Sequence, residues 1–211
     1  MLLDVAGRER TLLAKALQEA LPDCKPFLTP GPLGLRGYSC AYGLQQAGAQ
    51  SEQAQGFAQE IVRRMALPQG WQCSAQNGYL NFEVSAGRLT QLTQEAYAAW
   101  PEAPDRPVPL EDPCFWPVCR ARRLKRLAQA AMGKSGENEP DCLWHALQLP
   151  QALARGKGQA WLQRMMRLTE PLAQTTLVDA AGGGQDPITF ALAAKALALA
   201  IAQEKDGGKE K

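Results

Sequence analysis

The chain has 211 residues, of which 45% are hydrophobic, and its formal net charge is +2 at pH 7. A chain of this length can bury one sizeable core or two smaller ones. The small net charge excludes a strongly basic nucleic-acid binder, so any contact with RNA has to come from local patches.

Cysteine usage and hydropathy favour a cytoplasmic protein. The six cysteines include no Cys-x-x-Cys pair, and the chain does not begin with a secretory leader pattern. The longest apolar run, residues 190–202, is alanine-rich and contains Lys195, which favours a packed helix over a membrane span. We therefore expect reduced thiols and no membrane segment.

Helical and strand patterns alternate in the first hundred residues. Leucines recur at helical spacing in residues 9–21, and Ser51 is a suitable N-cap for a second helix that ends near residue 65. Residues 26–37 hold three prolines and three glycines, which predicts an irregular loop. Residues 71–75 and 79–85 have strand patterns separated by a hairpin turn signal. We predict an α+β domain over residues 1–99.

The second half has a different composition. Six prolines between residues 100 and 117 predict an extended, semi-rigid linker. Beyond it no strand pattern occurs, and four helical stretches predict an all-α helical bundle over residues 118–203. The stretches are residues 119–132, 142–154, 159–177 and 187–203. Residues 204–211 are charged and contain glycine, so we predict a disordered tail.

The second strand of the hairpin places an aromatic ring and an amide on one face. Its apolar residues alternate with Tyr79, Asn81 and Glu83, so these three side chains are predicted to face solvent. Such a face is either a solvated strand surface or a binding surface for a flat ligand with hydrogen-bonding edges.

Known catalytic patterns are missing from the sequence. The single histidine, His145, lies in an apolar helical stretch and is predicted to be structural. Gly133-Lys134-Ser135 would end a phosphate-binding loop, but residue 128 is alanine where that loop requires glycine. We therefore expect no enzyme activity, no metal site and no cofactor.

One predicted helix carries a dense basic cluster. Its cations are Arg120, Arg122, Arg123, Lys125 and Arg126. Alanine and leucine at positions 121, 124, 128 and 131 keep an apolar line on the same helix. Two interpretations stay open: a solubilising face, or a helix that contacts phosphates.

Six segments, taken in order, resemble one family. GYSCAYGLQQAG (37–48), FAQEIVRRM (57–65) and NGYLNFEVS (77–85) are similar to the N-terminal tRNA-elbow domain of arginyl-tRNA synthetases. FWPVCRARRLKRLAQAA (115–131), WHALQLPQAL (144–153) and ITFALAAKALALAIA (188–202) resemble that family's DALR anticodon-binding bundle.

The family's catalytic domain has no counterpart in this sequence. In arginyl-tRNA synthetases it lies between the two modules, whereas here about thirty residues join them. The His-Ile-Gly-His signature needs two histidines, and no Lys-Met-Ser-Lys-Ser segment occurs. The resemblance therefore implies a non-catalytic protein that binds tRNA, with arginine tRNA among the candidates, and that acts beside a tRNA-modifying enzyme or a synthetase.

The resemblance also assigns candidate RNA-binding residues. On the family's elbow-reading strand, Tyr79 matches the aromatic and Asn81 the amide, while Asn77 is a looser match that we interpret first as a turn residue. In the bundle, the candidates come from the basic cluster and are Arg120, Arg122, Arg123 and Arg126; of these, Arg122 matches the family's helix.

Two departures weaken the likeness at the anticodon end. Val118 and Arg120 stand where the family has tyrosine and histidine, so the resemblance implies elbow binding more strongly than anticodon reading. A protein-interaction scaffold or assembly factor built from the same modules is the alternative function.

Overall fold

A computed structural model describes residues 2–22, 27–32, 35–47, 51–103, 107–134, 136 and 140–207. The chain forms two compact units, one of residues 6–91 and the other of residues 1–5 with 92–211. A small antiparallel sheet with helices is followed by a run of helices, which confirms the predicted fold class.

The helices and strands have the following bounds. The helices are α1 (Val5–Ala20), α2 (Tyr42–Ala47), α3 (Ser51–Arg64), α4 (Ala86–Ala99), α5 (Phe115–Ala130), α6 (Pro140–Leu147), α7 (Leu149–Ala154), α8 (Gly158–Leu168), α9 (Glu170–Gln174), α10 (Leu177–Gly182) and α11 (Pro187–Gly207). The strands are β1 (Thr29–Pro30), β2 (Gly37–Cys40), β3 (Trp71–Gln76) and β4 (Tyr79–Val84).

The sheet has the order β1-β2-β4-β3, with every neighbouring pair antiparallel. Along β4, Leu80, Phe82 and Val84 are buried and Tyr79 is exposed, so the predicted alternation is confirmed. Helix α3 packs against β3 and β4. Between these strands Asn77 has φ 50° and Gly78 has φ 79°, as a two-residue hairpin turn of type I′ requires.

Residues 26–37 were predicted to be irregular, and this prediction was wrong in part. Thr29 and Pro30 form β1, and Gly37 begins β2. A Cβ atom at Gly37 would lie 1.8 Å from the carbonyl oxygen of Phe82, so glycine permits the close pairing of β2 with β4. This glycine therefore serves a strand rather than a loop.

A buried carboxylate links three elements of the α+β unit. Glu9 of α1 is fully buried, and it accepts hydrogen bonds from Trp71 Nε1 in β3 at 2.8 Å and from Arg88 Nη2 in α4 at 2.6 Å. A charge in the interior is tolerated when such partners compensate it. The three side chains therefore hold α1 and α4 to the edge strand β3.

The helical unit is built around α5 and α11, which pack along each other. Its core includes Leu124, Leu127, Phe190 and Leu197. The apolar line predicted on α5 is shifted slightly, because Leu127 is buried whereas Ala128 is half-exposed.

The four predicted helical stretches are more finely divided than expected. Residues 142–154 fall into α6 and α7, and residues 159–177 fall mainly into α8 and α9. Pro150 and Pro171 are the second residues of α7 and α9, and proline is well tolerated in the first turn of a helix because the amide groups there have no partner within the helix. Helix α10 covers residues that were partly assigned to a loop.

The limits of the linker and the tail also differ from the prediction. Residues 100–103 and 107–114 carry no helix or strand, but 115–117 already belong to α5; residues 104–106 lie outside the described part. Helix α11 continues to Gly207, so residues 204–207 are helical, and 208–211 lie outside the described residues. Across the described residues, no helix is both long enough and apolar enough to span a membrane.

Candidate nucleic-acid interface

One face of the sheet presents an aromatic ring beside a row of small polar side chains. Tyr79 is 41% exposed and lies opposite Gln76 on β3. Asn81 lies between Ser39 of β2 and Ser74 of β3. Directly opposed residues of antiparallel strands point to the same side of the sheet. We call this surface, formed by Tyr79, Asn81, Ser39 and Ser74, the polar sheet face.

The amide of Asn81 is oriented by a buried hydroxyl group. Ser39 Oγ donates a hydrogen bond of 2.8 Å to Asn81 Oδ1, and Ser39 is 6% exposed whereas Asn81 is half-buried. An asparagine amide has one accepting oxygen and one donating NH₂ group. Because the oxygen is engaged by Ser39, the Nδ2 group is the part of Asn81 that can donate to a ligand.

An ion pair borders the polar sheet face. Arg36 Nε donates to Glu83 Oε1 at 3.0 Å, and both side chains are about one-third exposed. The arginine compensates the negative charge of Glu83, which would otherwise repel a phosphate group.

Asn77 is exposed in the turn next to this face, and its positive φ explains the residue type there. The side chain of Gln55 in α3 hydrogen-bonds to the backbone on both sides of Asn77. Its Nε2 donates to the carbonyl of Ala75 at 3.0 Å, and its Oε1 accepts from Gly78 N at 3.1 Å. The turn geometry therefore accounts for Asn77 without a contact to RNA.

A second surface lies on the outward side of α5. Arg122, Arg123 and Arg126 are exposed, and with Cys119 and Leu177 they line a cavity of about 260 Å³. We call the surface of these three arginines the arginine face. Three guanidinium groups around one depression form an electropositive site that suits a phosphate group.

Arg120 and Arg123, which were predicted to bind RNA, make contacts within the unit. Arg120 Nη2 donates to the carboxylate of Glu170, and this hydrogen bond, together with the arginine's charge, lowers the pKa of Glu170. Arg123 Nε donates to the carbonyl of Ala173, and its Nη2 donates to the carbonyl of Thr175 at 3.0 Å. Arg120 and Arg123 therefore attach α5 to α9 and the residue that follows it.

Exposed apolar side chains accompany the arginine face. Trp116 is 69% exposed and makes an edge-on contact with Phe115, with ring centroids 5.3 Å apart. Leu177 and Val178 at the start of α10 are 52% and 81% exposed. Sequence reasoning missed Trp116, although positions 116, 119, 123 and 126 share one side of a helix.

His145 belongs to the core of the helical unit. Its Nε2 and the carbonyl of Trp161 are 3.0 Å apart, and Trp161 Nε1 donates to the carbonyl of His145 at 2.8 Å. The two rings stack with centroids 5.2 Å apart, and burial lowers the pKa of His145 to about 4. Among the described residues no cluster of potential metal ligands occurs.

Among proteins of known structure, the fold has a distant likeness to a synthetase. The chain is similar to the arginyl-tRNA synthetase of Thermus thermophilus, with 18% identity and a TM-score of 0.35, over 88% of this chain and 38% of that one. No family model matches the sequence, and the search of curated proteins found no match. A likeness this loose does not indicate a function.

Proposed function

We propose that this chain is a cytoplasmic, non-catalytic tRNA-binding protein, an accessory or regulator of tRNA aminoacylation or modification. The observation that carries the proposal is the exposed ring of Tyr79 beside the Asn81 amide that Ser39 orients. The arginine face and the six segments that resemble the two tRNA-binding modules of arginyl-tRNA synthetases support it.

The polar sheet face suits one unstacked base. Proteins recognise RNA sequence mainly in loops, where a base stacks on an aromatic ring and its edge is hydrogen-bonded. Tyr79 offers the ring, and Asn81 Nδ2 offers a donor to an accepting nitrogen or oxygen of the base. Stacking of this kind contributes about 1–3 kcal/mol per base.

The arginine face suits the phosphate backbone. Phosphate contacts position an RNA without reading its sequence, and each one steepens the salt dependence of binding. Arg126 and Arg122 are exposed on the outward side of α5, whereas Arg120 and Arg123 also hold α9. We therefore assign the phosphate contacts to Arg122 and Arg126 first.

Filter binding of total tRNA tests the polar sheet face. We expect Tyr79→Ala to weaken tRNA binding roughly 5- to 150-fold, the equivalent of the stacking energy. Phe57→Ala is the matched control, because Phe57 is also a half-exposed aromatic residue of the α+β unit. Equal affinity of the folded Tyr79→Ala variant and the parent would exclude the base platform.

The salt dependence of the same binding tests the arginine face. The double variant Arg122→Ala/Arg126→Ala should reduce the slope of log affinity against log salt by about 2, near one for each phosphate contact. Arg63→Ala/Arg64→Ala is the control, since these exposed arginines pair with Glu60 on α3 and carry the same charge. Equal slopes for the two double variants would show that only general charge matters.

A protein-interaction scaffold is the second candidate function. The exposed Trp116, Leu177 and Val178 beside the arginine face favour it, because apolar groups grouped on a surface are typical of protein interfaces. Affinity purification from cells with and without RNase separates the two candidates. One stoichiometric protein recovered after RNase treatment, without bound tRNA, would favour the scaffold; tRNA recovered without a protein partner would favour the first proposal.

A further inference from the structure

A groove runs between α5 and α11 within the helical unit. Its cavity volume is about 850 Å³, and small apolar side chains dominate its walls. The residues that line it include Val118, Ala121, Ala128, Ala191, Ala198, Ala202, Tyr97, Pro101 and Val108. We call it the alanine groove.

The groove is present because many of the side chains that line it are short alanines. Positions 191, 195, 198 and 202 recur at helical spacing along α11, and three of the four are alanine. The three alanines are partly exposed, whereas the neighbouring leucines at 192 and 197 are fully buried in the core. Short side chains along both helices leave a cleft of the size that small ligands occupy, about 300–1,000 Å³.

Lys195 provides a charged group in the wall of the groove. Its side chain is 8% exposed, and its Nζ donates to the carbonyl of Tyr97 at 2.8 Å and to Glu102 Oε1 at 3.2 Å. The ammonium group also lies 4.6 Å from the centre of the Tyr97 ring. An ammonium has three donors, so one remains for a ligand oxygen, and the exposed Glu102 can be exchanged for another carboxylate.

The charges around the groove favour an anion. Its cations are Arg122, Lys125 and Lys195, and its acids are Glu102 and Asp186. Glu102 is paired with Lys195, and Asp186 Oδ1 accepts a hydrogen bond from Ile188 N at the start of α11. Three cations against two acids leave the lining of the groove with a net positive charge, which complements a negatively charged ligand.

We propose that the alanine groove binds a small amphipathic carboxylate, with its apolar body along the alanines and its carboxylate on Lys195. This proposal does not rest on the tRNA-binding proposal, because its two main groups, the alanines and Lys195, belong to neither the polar sheet face nor the arginine face; Arg122 alone lines both the groove and the arginine face. Apolar burial supplies the affinity, and the charge-assisted hydrogen bond from Lys195 selects the carboxylate.

Isothermal titration of the full chain with decanoate tests this assignment, with decyltrimethylammonium as the probe of opposite charge. We expect decanoate to bind once per chain and the cationic probe to bind at least about tenfold more weakly. Ala198→Phe should abolish decanoate binding by filling the groove, and Lys195→Met should weaken it about tenfold. Ala160→Phe and Lys134→Met make the same changes at exposed positions that do not line the groove, and should bind as the parent does.

Two results would overturn the proposal. Equal binding of the two probes would show an unspecific apolar surface, and full decanoate binding by Ala198→Phe would place the ligand elsewhere. Because Lys195 also holds Tyr97 and Glu102, Lys195→Met could unfold the unit, and circular dichroism detects this. In that case the comparison of the two probes on the parent, together with decanoate binding by Ala198→Phe, decides the proposal.

Discussion

The two units stabilise a buried polar side chain in opposite ways. In the α+β unit, Glu9 is fully buried as a charged group and accepts from Trp71 and Arg88. In the helical unit, His145 is buried against Trp161, and burial lowers its pKa to about 4, so it is neutral at physiological pH. The α+β unit therefore depends on a charge and its partners, whereas the helical unit depends on the absence of a charge.

The two candidate RNA surfaces depend on these two different kinds of stabilisation. Strand β3, which Trp71 begins, pairs along the whole of β4, so the Glu9 contacts support the strand that carries Tyr79. The arginine face instead lies on a helix whose position depends on apolar packing and on the contacts of Arg120 and Arg123. A substitution of Glu9 should therefore affect the polar sheet face more than the arginine face, and a substitution of His145 should do the reverse.

The largest expected effect comes from the buried charge. Glu9→Ala leaves Arg88 and the Trp71 indole without their acceptor, and breaking such a buried pair costs about 3–5 kcal/mol. Urea unfolding followed by circular dichroism measures the loss. Glu19→Ala is the control on the same helix, because Glu19 is 66% exposed, and its pair with Lys15 should contribute less than about 1 kcal/mol. A loss below about 1 kcal/mol for Glu9→Ala would contradict the central role of this carboxylate.

The second-largest expected effect is a loss of folding stability at acidic pH, because His145 is buried in its neutral form. The pKa of His145 is lowered from 6.5 to about 4 in the folded chain, so the unfolded chain binds the proton more readily between these values. Stability is therefore highest above pH 6.5 and falls as the pH decreases to about 4, by roughly 3 kcal/mol from this group.

Unfolding of the parent and of His145→Gln between pH 4 and pH 8 isolates this contribution. Carboxylates titrate in both proteins, so the difference between the two curves reports on the histidine. The variant should lose less stability on acidification than the parent. Parallel curves would show that His145 can be protonated in the folded chain without cost.

Local patterns were sufficient to predict the strand that carries Tyr79. The alternation of Leu80, Phe82 and Val84 and the turn at Asn77-Gly78 depend on neighbouring residues, and both are present in the structure. Strand β2 is buried along its whole length and has no alternation, and its partner β4 is about forty residues away in the sequence. Its strand character and the role of Ser39 were therefore not predictable from local spacing.

For the basic helix α5, local spacing predicted the helix but not the partners of its arginines. Five cations in seven residues predicted a helix with a polar face, and the helix is present. The partners of Arg120 and Arg123 lie about fifty residues further along the chain, in α9 and just after it.

Helix α4 was missed, although Ser85 Oγ accepts from Arg88 N in the manner of an N-cap and the sequence shows a serine there.

The smallest expected effect tests whether the polar sheet face is oriented in advance. Ser39→Ala removes the donor that holds Asn81 Oδ1, and the amide can then rotate. One hydrogen bond contributes about 1 kcal/mol, so tRNA affinity should fall about fivefold. Ser74→Ala is the control, since Ser74 lies on the other side of Asn81, is exposed and should change affinity little. If Ser39 acts by orienting Asn81, the double variant Ser39→Ala/Asn81→Ala should bind no worse than Asn81→Ala alone, whereas additive losses would mean that Ser39 contributes independently of the amide.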